Sequence, residues 1–336
     1  MTAADFFPGK CDFSPDGIVL VTGGAGFIGS ALVETLLSKG CRVRCLDNFS
    51  TGFRENIAPF MANPDFELLE GDIRSAADCG KAVENVEYIL HEAALGSVPR
   101  SIADPGTSVA VNVSGTVNLF DAARRAGVRR IAYASSSSVY GDDPSTEKIE
   151  HRTGRVLSPY AASKAACELF AENFGKVYGL EIVGLRYFNV FGMRQNPAGA
   201  YAAVIPRFAQ MLLAHQAPVI NGDGSISRDF TFIGNVVNAN ILALSVPEAA
   251  GNVFNVGCGR SFDLNTLFAA LRAALAEYDP VIAGINAVHG PERPGDVRFS
   301  LASTAKAHDI LGYCPRFSFE EGIAFTAGYY ARAQQE

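Results

Sequence analysis

The sequence predicts an α/β protein: a doubly wound parallel sheet followed by a smaller, partly discontinuous C-terminal domain. Three observations predict it. Short apolar runs alternate with helical patterns from Gly17 to Tyr187, as in a parallel sheet wrapped by right-handed crossovers. A glycine-rich turn, Gly23-Gly24-Ala25-Gly26-Phe27-Ile28-Gly29, joins the first run to the first helix. Polar residues suited to binding gather at the carboxyl ends of the runs, where such sheets hold ligands.

Taken in order, Gly17–Thr22 is an apolar run of the kind buried on both faces of a sheet. After the glycine turn, Ile28, Leu32, Val33, Leu36 and Leu37 keep helical spacing and Gly40 ends the helix. Cys41–Leu46 is the next strand, with Asp47 at its end. Gly23 permits the tight turn, Gly26 lets backbone approach a pyrophosphate, and Gly29 lets helix and strand pack closely. The helix start offers free N–H groups to phosphates. Asp47, 18 residues beyond Gly29, is placed to accept both hydroxyls of a ribose. Asn48 rather than arginine follows it, which favours NAD over NADP, although Arg44 lies close by in sequence.

Phe66–Leu69 leads to Gly71-Asp72-Ile73, with Asp72 a candidate for the adenine. Tyr88–His91 leads to Glu92-Ala93-Ala94, whose alanines leave room beside a cofactor. A helix is expected over Val109–Ala126, a strand over Arg130–Ala134 with Ser135–Ser138 at its end, and a strand over Leu180–Tyr187. Beyond Asn189 the pattern loosens, with helices expected at Ala202–His215, Asn235–Ser245, Leu264–Tyr278 and Phe319–Ala333. The expected large domain is 1–188 with a returning segment around 230–257, and 189–336 forms the discontinuous second domain.

Composition narrows the classes. The chain has 336 residues, 48% hydrophobic and 19% charged, with a net charge of -7 and no basic run. That suits a globular protein and argues against a nucleic-acid or acidic-membrane surface. Met1–Gly17 lacks a secretory hydrophobic stretch, so a cytoplasmic location is expected. Seven scattered cysteines and five histidines, without C-x-x-C or H-E-x-x-H, read as reduced thiols and structural histidines rather than a metal site.

Tyr160-Ala-Ala-Ser-Lys164 follows Ser158-Pro159, a good helix start. Tyr160 and Lys164 are i and i+4, on one helix face. A free tyrosine hydroxyl, with a pKa of about 10, is a poor base at neutral pH. A lysine cation one turn away favours the phenolate, so the pair suits a general base for a sugar or alcohol hydroxyl.

The glycine turn, the serine run and Tyr-x-x-x-Lys together resemble the extended short-chain dehydrogenase/reductase superfamily, over nearly the whole chain. Ala93–Ser101, Tyr187–Gly192, Ala200–Pro206, Asn221–Gly224, Ser227–Phe230 and Gly295–Arg298 look like the UDP-N-acetylglucosamine 4-epimerases of bacterial surface-polysaccharide pathways. The resemblance implies a Rossmann-type fold and a bound NAD. It makes Tyr160 the base, Lys164 its electrostatic partner and cofactor-ribose ligand, and Ser136 the partner of the sugar 4-oxygen, with Ser137 as fallback. The C4 hydride goes to nicotinamide, the 4-keto sugar turns over within the site, and the hydride returns to its other face. The implied cofactor set is Gly23, Gly26, Phe27, Ile28, Gly29, Asp47, Asn48, Ser50, Thr51, Gly52, Asp72, Ile73, Ala93, Ala94, Asn112, Lys164, Tyr187 and Val190. For the UDP-sugar, Arg228 and Arg293 bind the diphosphate and Asp296 the uridine ribose, while Gly96, Ser97, Asn189, Ala203, Val204 and Asn221 complete the cavity. Ser300 leaves space for an N-acetyl group where relatives limited to non-acetylated sugars carry a tyrosine. Relatives also imply a homodimer through the helices near Val109–Ala126 and Ala161–Val177.

Sugar-nucleotide 4,6-dehydratases place an acidic pair after the catalytic hydroxyl residue, and here Ser136 is followed by Ser137, Ser138 and Val139. Elimination needs an acid and a base at adjacent carbons, so their absence favours epimerisation. A UDP-hexuronate 4-epimerase shares the serine run, the base and the cofactor site, and no partner for its C6 carboxylate is assignable from sequence. A cofactor-sensing regulator on the same fold is disfavoured by the retained Tyr–Lys pair.

Overall fold

Val19, Leu20, Val21 and Thr22 have no solvent exposure, because strand β1 (Ile18–Thr22) lies mid-sheet with helices on both faces. A computed structural model describes residues 13, 15–197, 202–291 and 299–334. Helix α1 (Phe27–Ser38) follows β1, then β2 (Arg42–Asp47), β3 (Phe66–Glu70), the short α2 (Ala76–Ala82) and β4 (Val86–His91). Next come α3 (Val98–Ala103), α4 (Pro105–Val109), α5 (Thr116–Ala126), β5 (Arg130–Ser136), α6 (Pro159–Tyr178) and β6 (Glu181–Tyr187). Helices α7 (Val204–Leu213) and α8 (Ile233–Ser245) precede β7 (Val253–Val256), and α9 (Leu264–Ala276) and α10 (Phe319–Ala333) close the chain.

The large sheet runs β7, β6, β5, β4, β1, β2, β3, with every neighbouring pair parallel. Its order reverses between β1 and β4, so a crevice opens beyond their carboxyl ends. Two apolar cores fill its faces. One joins Leu32, Leu36, Val236 and Val237 to the C-terminal helices, and the other packs Leu119, Phe120, Phe174 and Ile182 on the opposite side.

The smaller C-terminal domain is built from short pairings. Phe262–Asp263, Ser227–Arg228, Phe299–Ala302 and Glu147–Lys148 form a four-stranded sheet. Asp229 ties that sheet to the end of β7: buried, it accepts from the backbone N–H groups of Cys258 (2.8 Å), Gly259 (2.9 Å) and Ala302 (3.3 Å). Aromatic rings seal the seam, with Phe262 stacked on Phe319 at 4.1 Å. Among the described residues no helix is long and apolar enough to cross a membrane.

The helix expected over Val109–Ala126 instead starts at Pro105, where Asp104 caps it, and widens to a π-turn over Ala110–Gly115. The widening has a local reason. The carbonyl of Asn112 accepts the Thr116 hydroxyl (2.6 Å) and the Cys167 thiol (3.0 Å), bonds that an unbroken α-helical ladder leaves little room for.

Candidate active site

At the crevice the chain turns as tightly as the glycines allow. Gly23 has φ +69°, and a Cβ on Gly29 would sit 2.1 Å from the Gly23 carbonyl oxygen. No side chain caps the start of α1 at Gly26, and its first turn holds no acid, so its amide groups are left for an anion. Asp47 closes the turn from the end of β2. Its carboxylate, 7% exposed, accepts from Ala25 N–H at 2.9 Å and Phe49 N–H at 2.8 Å, while burial outweighs these bonds and pushes its pKa up. Arg44 is spent elsewhere, on Glu67 (2.8 Å) and the carbonyls of Ala82 and Glu84. It therefore offers no charge to the ribose end of the crevice. Asp72 is held well below the usual carboxylate range, at about 2, by Arg74 above all and by Asn48.

A cavity of about 630 Å³ runs from this turn past the ends of β4, β5 and β6. Each predicted cofactor residue lines it except Asn112. Asn112 stands behind the wall, 1% exposed, donating to the Leu95 carbonyl and the Ser163 hydroxyl and accepting from Leu95 N–H. It ties Leu95 to α6 and does not line the cavity of the described residues.

At the far end stand Tyr160 and Lys164. Ser158 caps α6 by accepting from Ala161 N–H at 3.1 Å, Pro159 fills the first turn, and Gly179 ends the helix at φ +70°. Lys164 is buried and donates to the Ala134 carbonyl at 2.7 Å. The four serines separate by partner. Ser135 donates to Glu168 at 2.5 Å, and Ser138 is half-buried, with its hydroxyl enclosed and off the cavity. Ser136 and Ser137 both line the cavity.

Of the predicted substrate residues, Gly96, Ser97, Ser136, Ser137, Tyr160, Asn189 and Ala203 line the same cavity. Asn189 holds a strained backbone, φ +25°, fixed by its side-chain bond to the Asp229 carbonyl (3.1 Å) and by Thr231 N–H on its own carbonyl. Val204, Asn221, Arg228 and Ser300 do not line the cavity formed by the described residues. Val204 opens α7, Asn221 pairs with Gly290, and Arg228 pairs with Ser300 across adjacent strands. Arg293 and Asp296 lie outside the described residues.

Sequence reasoning missed several cavity residues, among them Leu95, Arg100, Gln195, Asn196 and Glu92. Glu92 follows β4 at the crevice and accepts the Tyr187 hydroxyl at 2.8 Å, and burial pushes it up to about 7. Its place beside Ala93-Ala94 was a usable signal. Arg100 lies in the short helix α3 and Asn196 in an irregular stretch, and neither position carries one.

The glycine cradle, the uncapped helix start and the buried carboxylate fit a dinucleotide. A profile of the NAD dependent epimerase/dehydratase family matches residues 19–257. The UDP-glucose 4-epimerase of Mycolicibacterium smegmatis is 39% identical over 94% of this chain and 99% of its own. The UDP-N-acetylglucosamine 4-epimerase of Methanobrevibacter ruminantium, solved with UDP-N-acetylmuramic acid, superimposes with a TM-score of 0.88 at 37% identity, covering 96% of this chain and 100% of that one. The UDP-glucose 4-epimerase of Thermus thermophilus, solved with NAD, gives 0.81 at 37%, covering 93% and 98%. A UDP-glucuronic acid 4-epimerase from Bacillus cereus is more distant, at 28% identity and 0.84 over 94% of this chain and 99% of that one. The chain belongs to the NAD dependent epimerase/dehydratase family.

Proposed function

We propose that this protein interconverts UDP-N-acetylglucosamine and UDP-N-acetylgalactosamine at C4, with UDP-glucose and UDP-galactose as further substrates. The broader activity, an NAD-dependent UDP-sugar 4-epimerase, is that of its relatives across the full chain length. One observation carries the chemistry: Tyr160, Lys164 and Ser136 share one wall of the cavity whose opposite end is the dinucleotide cradle.

NAD bound in the cradle would supply a reversible hydride acceptor for the sugar C4. The chain's own residues do the rest. The glycine turn and the α1 amides hold the diphosphate, and Asp47 holds the adenine ribose. Tyr160 removes the 4-hydroxyl proton and later returns it, so a single group is base and then acid. The Lys164 ammonium, fixed by the Ala134 carbonyl, favours the phenolate and faces the second ribose. Ser136 donates to the 4-oxygen as it becomes a carbonyl. No carboxylate follows Ser136 through Val139, which argues against water elimination. The small side chains of Ala202 and Ala203 leave space for a ring to turn over.

The acetylated sugar is favoured by the likeness to a UDP-N-acetylglucosamine 4-epimerase; Ser300, off the cavity of the described residues, supports it only through the family resemblance. A UDP-hexuronate substrate is the second reading, because glucuronate 4-epimerases are also relatives and Arg100 stands on the cavity wall. Incubating the protein with UDP-GlcNAc, UDP-Glc and UDP-GlcA without added cofactor, and identifying products by NMR, tests both. UDP-GalNAc as the main product supports the first, and UDP-galacturonate alone replaces it with the second.

The same reading makes the protein a cytoplasmic homodimer. Leu169, Phe170 and Val177 run along the exposed face of α6, and Val109 is exposed on α4. Paired about a two-fold axis, these helices cover one another's apolar stripes. A monomer by light scattering at working concentration dismisses the dimer.

A further inference from the structure

Glu92 occupies the point where the sheet order reverses, immediately after β4, with its N–H on the Thr22 carbonyl of β1 at 3.1 Å. One carboxylate oxygen accepts the Tyr187 hydroxyl, and Asn240 of α8 donates to that hydroxyl at 2.8 Å. The other oxygen has no hydrogen bond among the described residues, and the side chain lines the cavity. Asp47 and Asp72 are the other acids on this wall, and both belong to the cradle end. Glu92 instead lies within electrostatic reach of Lys164, at the end where the reaction takes place.

The charges around it are few. From α6, Lys164 faces it. From β6, Tyr187 is kept neutral by burial, which raises its hydroxyl well above 10. From α8, Asn240 carries no charge, and neither does Thr22 of β1. On its own strand, His91 turns to the opposite face and is held neutral by burial. Arg100 stands on the same cavity wall.

Lys164 alone repels a positively charged ring. A carboxylate on the neighbouring wall offsets that repulsion, and it acts more strongly in a protein-walled cavity than in water. The reduced dihydropyridine ring is neutral and gains nothing from it. We propose that Glu92 gives this cavity its preference for the oxidised, pyridinium form of the dinucleotide over the reduced form. The inference rests on the reading that the cavity takes NAD. Its consequence for an epimerase is that the hydride is returned to the sugar and reduced cofactor does not accumulate.

Because the carboxyl is pushed up to about 7 by burial, pyridinium binding and Glu92 ionisation are coupled, each favouring the other. The preference is therefore full above neutrality and fades in mild acid.

The chain has no tryptophan, so NADH fluorescence reports binding without interference. The full chain, freed of nucleotide, is titrated with NADH directly and with NAD by competition, as wild type, Glu92→Gln and Glu92→Asp. At pH 8, Glu92→Gln is expected to raise the Kd of NAD about tenfold and leave that of NADH within about twofold. Glu92→Asp keeps the wild-type ratio within about threefold. Between pH 8 and pH 6 the wild-type ratio falls toward that of Glu92→Gln, whose own ratio stays flat. Equal changes in both Kd values, or a wild-type ratio that ignores pH, overturn the proposal. Should Glu92→Gln fail to fold, the wild-type pH series decides alone. If wild type binds neither nucleotide, the cavity assignment itself falls, whereas binding with an unresponsive ratio sinks only the role of Glu92.

Discussion

Lys164 donates its ammonium to the carbonyl oxygen of Ala134 at 2.7 Å. That bond ties α6 to the end of β5, so Tyr160 one turn earlier is held against the serines of the same strand end. Tyr160→Phe removes only the hydroxyl, and its backbone N–H still reaches the Ser101 hydroxyl at 3.0 Å. Turnover is expected to fall by about 10³-fold or more, with the fold and bound NAD retained. Circular dichroism and the absorbance of released nucleotide check the second half. Near-normal turnover means that another base is at work.

The serine run makes a sharper test. Ser135 is committed to Glu168, which is itself paired with Arg186 at 2.8 Å. Ser135→Ala should therefore cost about 1 kcal/mol of stability by leaving a half-buried carboxylate short of one donor. Ser136→Ala should lower kcat about 10²-fold by removing a donor to the developing carbonyl. Ser137→Ala should change it by less than about fivefold. A larger loss from Ser137 than from Ser136 moves the role by one residue.

The cradle was readable because each of its residues has a task no other type performs at that spacing: glycine where φ is positive, glycine where helix meets strand, an acid at the next strand end. The strand of Val253–Val256 carried no such mark. It is four residues long, and only pairing with β6 defines it. Asn112 was named by the resemblance alone, and it stands buried in the π-turn, off the cavity. Glu92 was passed over because its alanine neighbours explained the stretch. Its meaning depends on Tyr187, 95 positions away, and no local pattern reports such a distance.

Gly29→Ala should abolish NAD retention. The new Cβ would lie 2.1 Å from the Gly23 oxygen and 2.7 Å from its carbonyl carbon, atoms of the backbone that cradles the diphosphate. Overpacking of this kind costs about 1–3 kcal/mol, so the variant is expected to fold with a lowered midpoint and to purify without nucleotide. A Gly29→Ala protein that keeps stoichiometric NAD contradicts the assigned turn.

Ser300 pairs with Arg228 across parallel strands of the small sheet. Ser300→Tyr is expected to block the acetylated sugars and leave UDP-glucose turnover within about threefold, in line with the modest discrimination that steric pocket changes give. Competition between UDP-GlcNAc and UDP-Glc, read by NMR, measures it. An unchanged preference removes Ser300 from substrate selection.

His91 sets an acid limit on the fold. Thr116 donates its hydroxyl to the Asn112 carbonyl, so His91 Nε2 donates to Thr116 at 2.9 Å and Nδ1 accepts the Thr22 hydroxyl at 2.7 Å. The ring is thus neutral in a closed chain of bonds, and burial lowers its pKa to about 3. A histidine depressed in this way stays uncharged in the fold while the unfolded chain takes up a proton below about 6.5. Its contribution is complete above that value and is lost as pH falls, at up to about 1.4 kcal/mol per pH unit. Glu92 and Asp229, raised to about 7 and about 6, act with the opposite sign: what they add is present at low pH and lost as pH rises through those values. Over this range the two carboxylates oppose the ring and outweigh it, so the raw curve hides the ring. Comparison with His91→Gln, which leaves the carboxylates in place, isolates the ring. From pH 7 to pH 5 the wild type should lose about 2 kcal/mol relative to the variant, measured by urea unfolding of nucleotide-free protein. A difference that does not change with pH shows that the ring titrates in the folded chain as it does in the unfolded one.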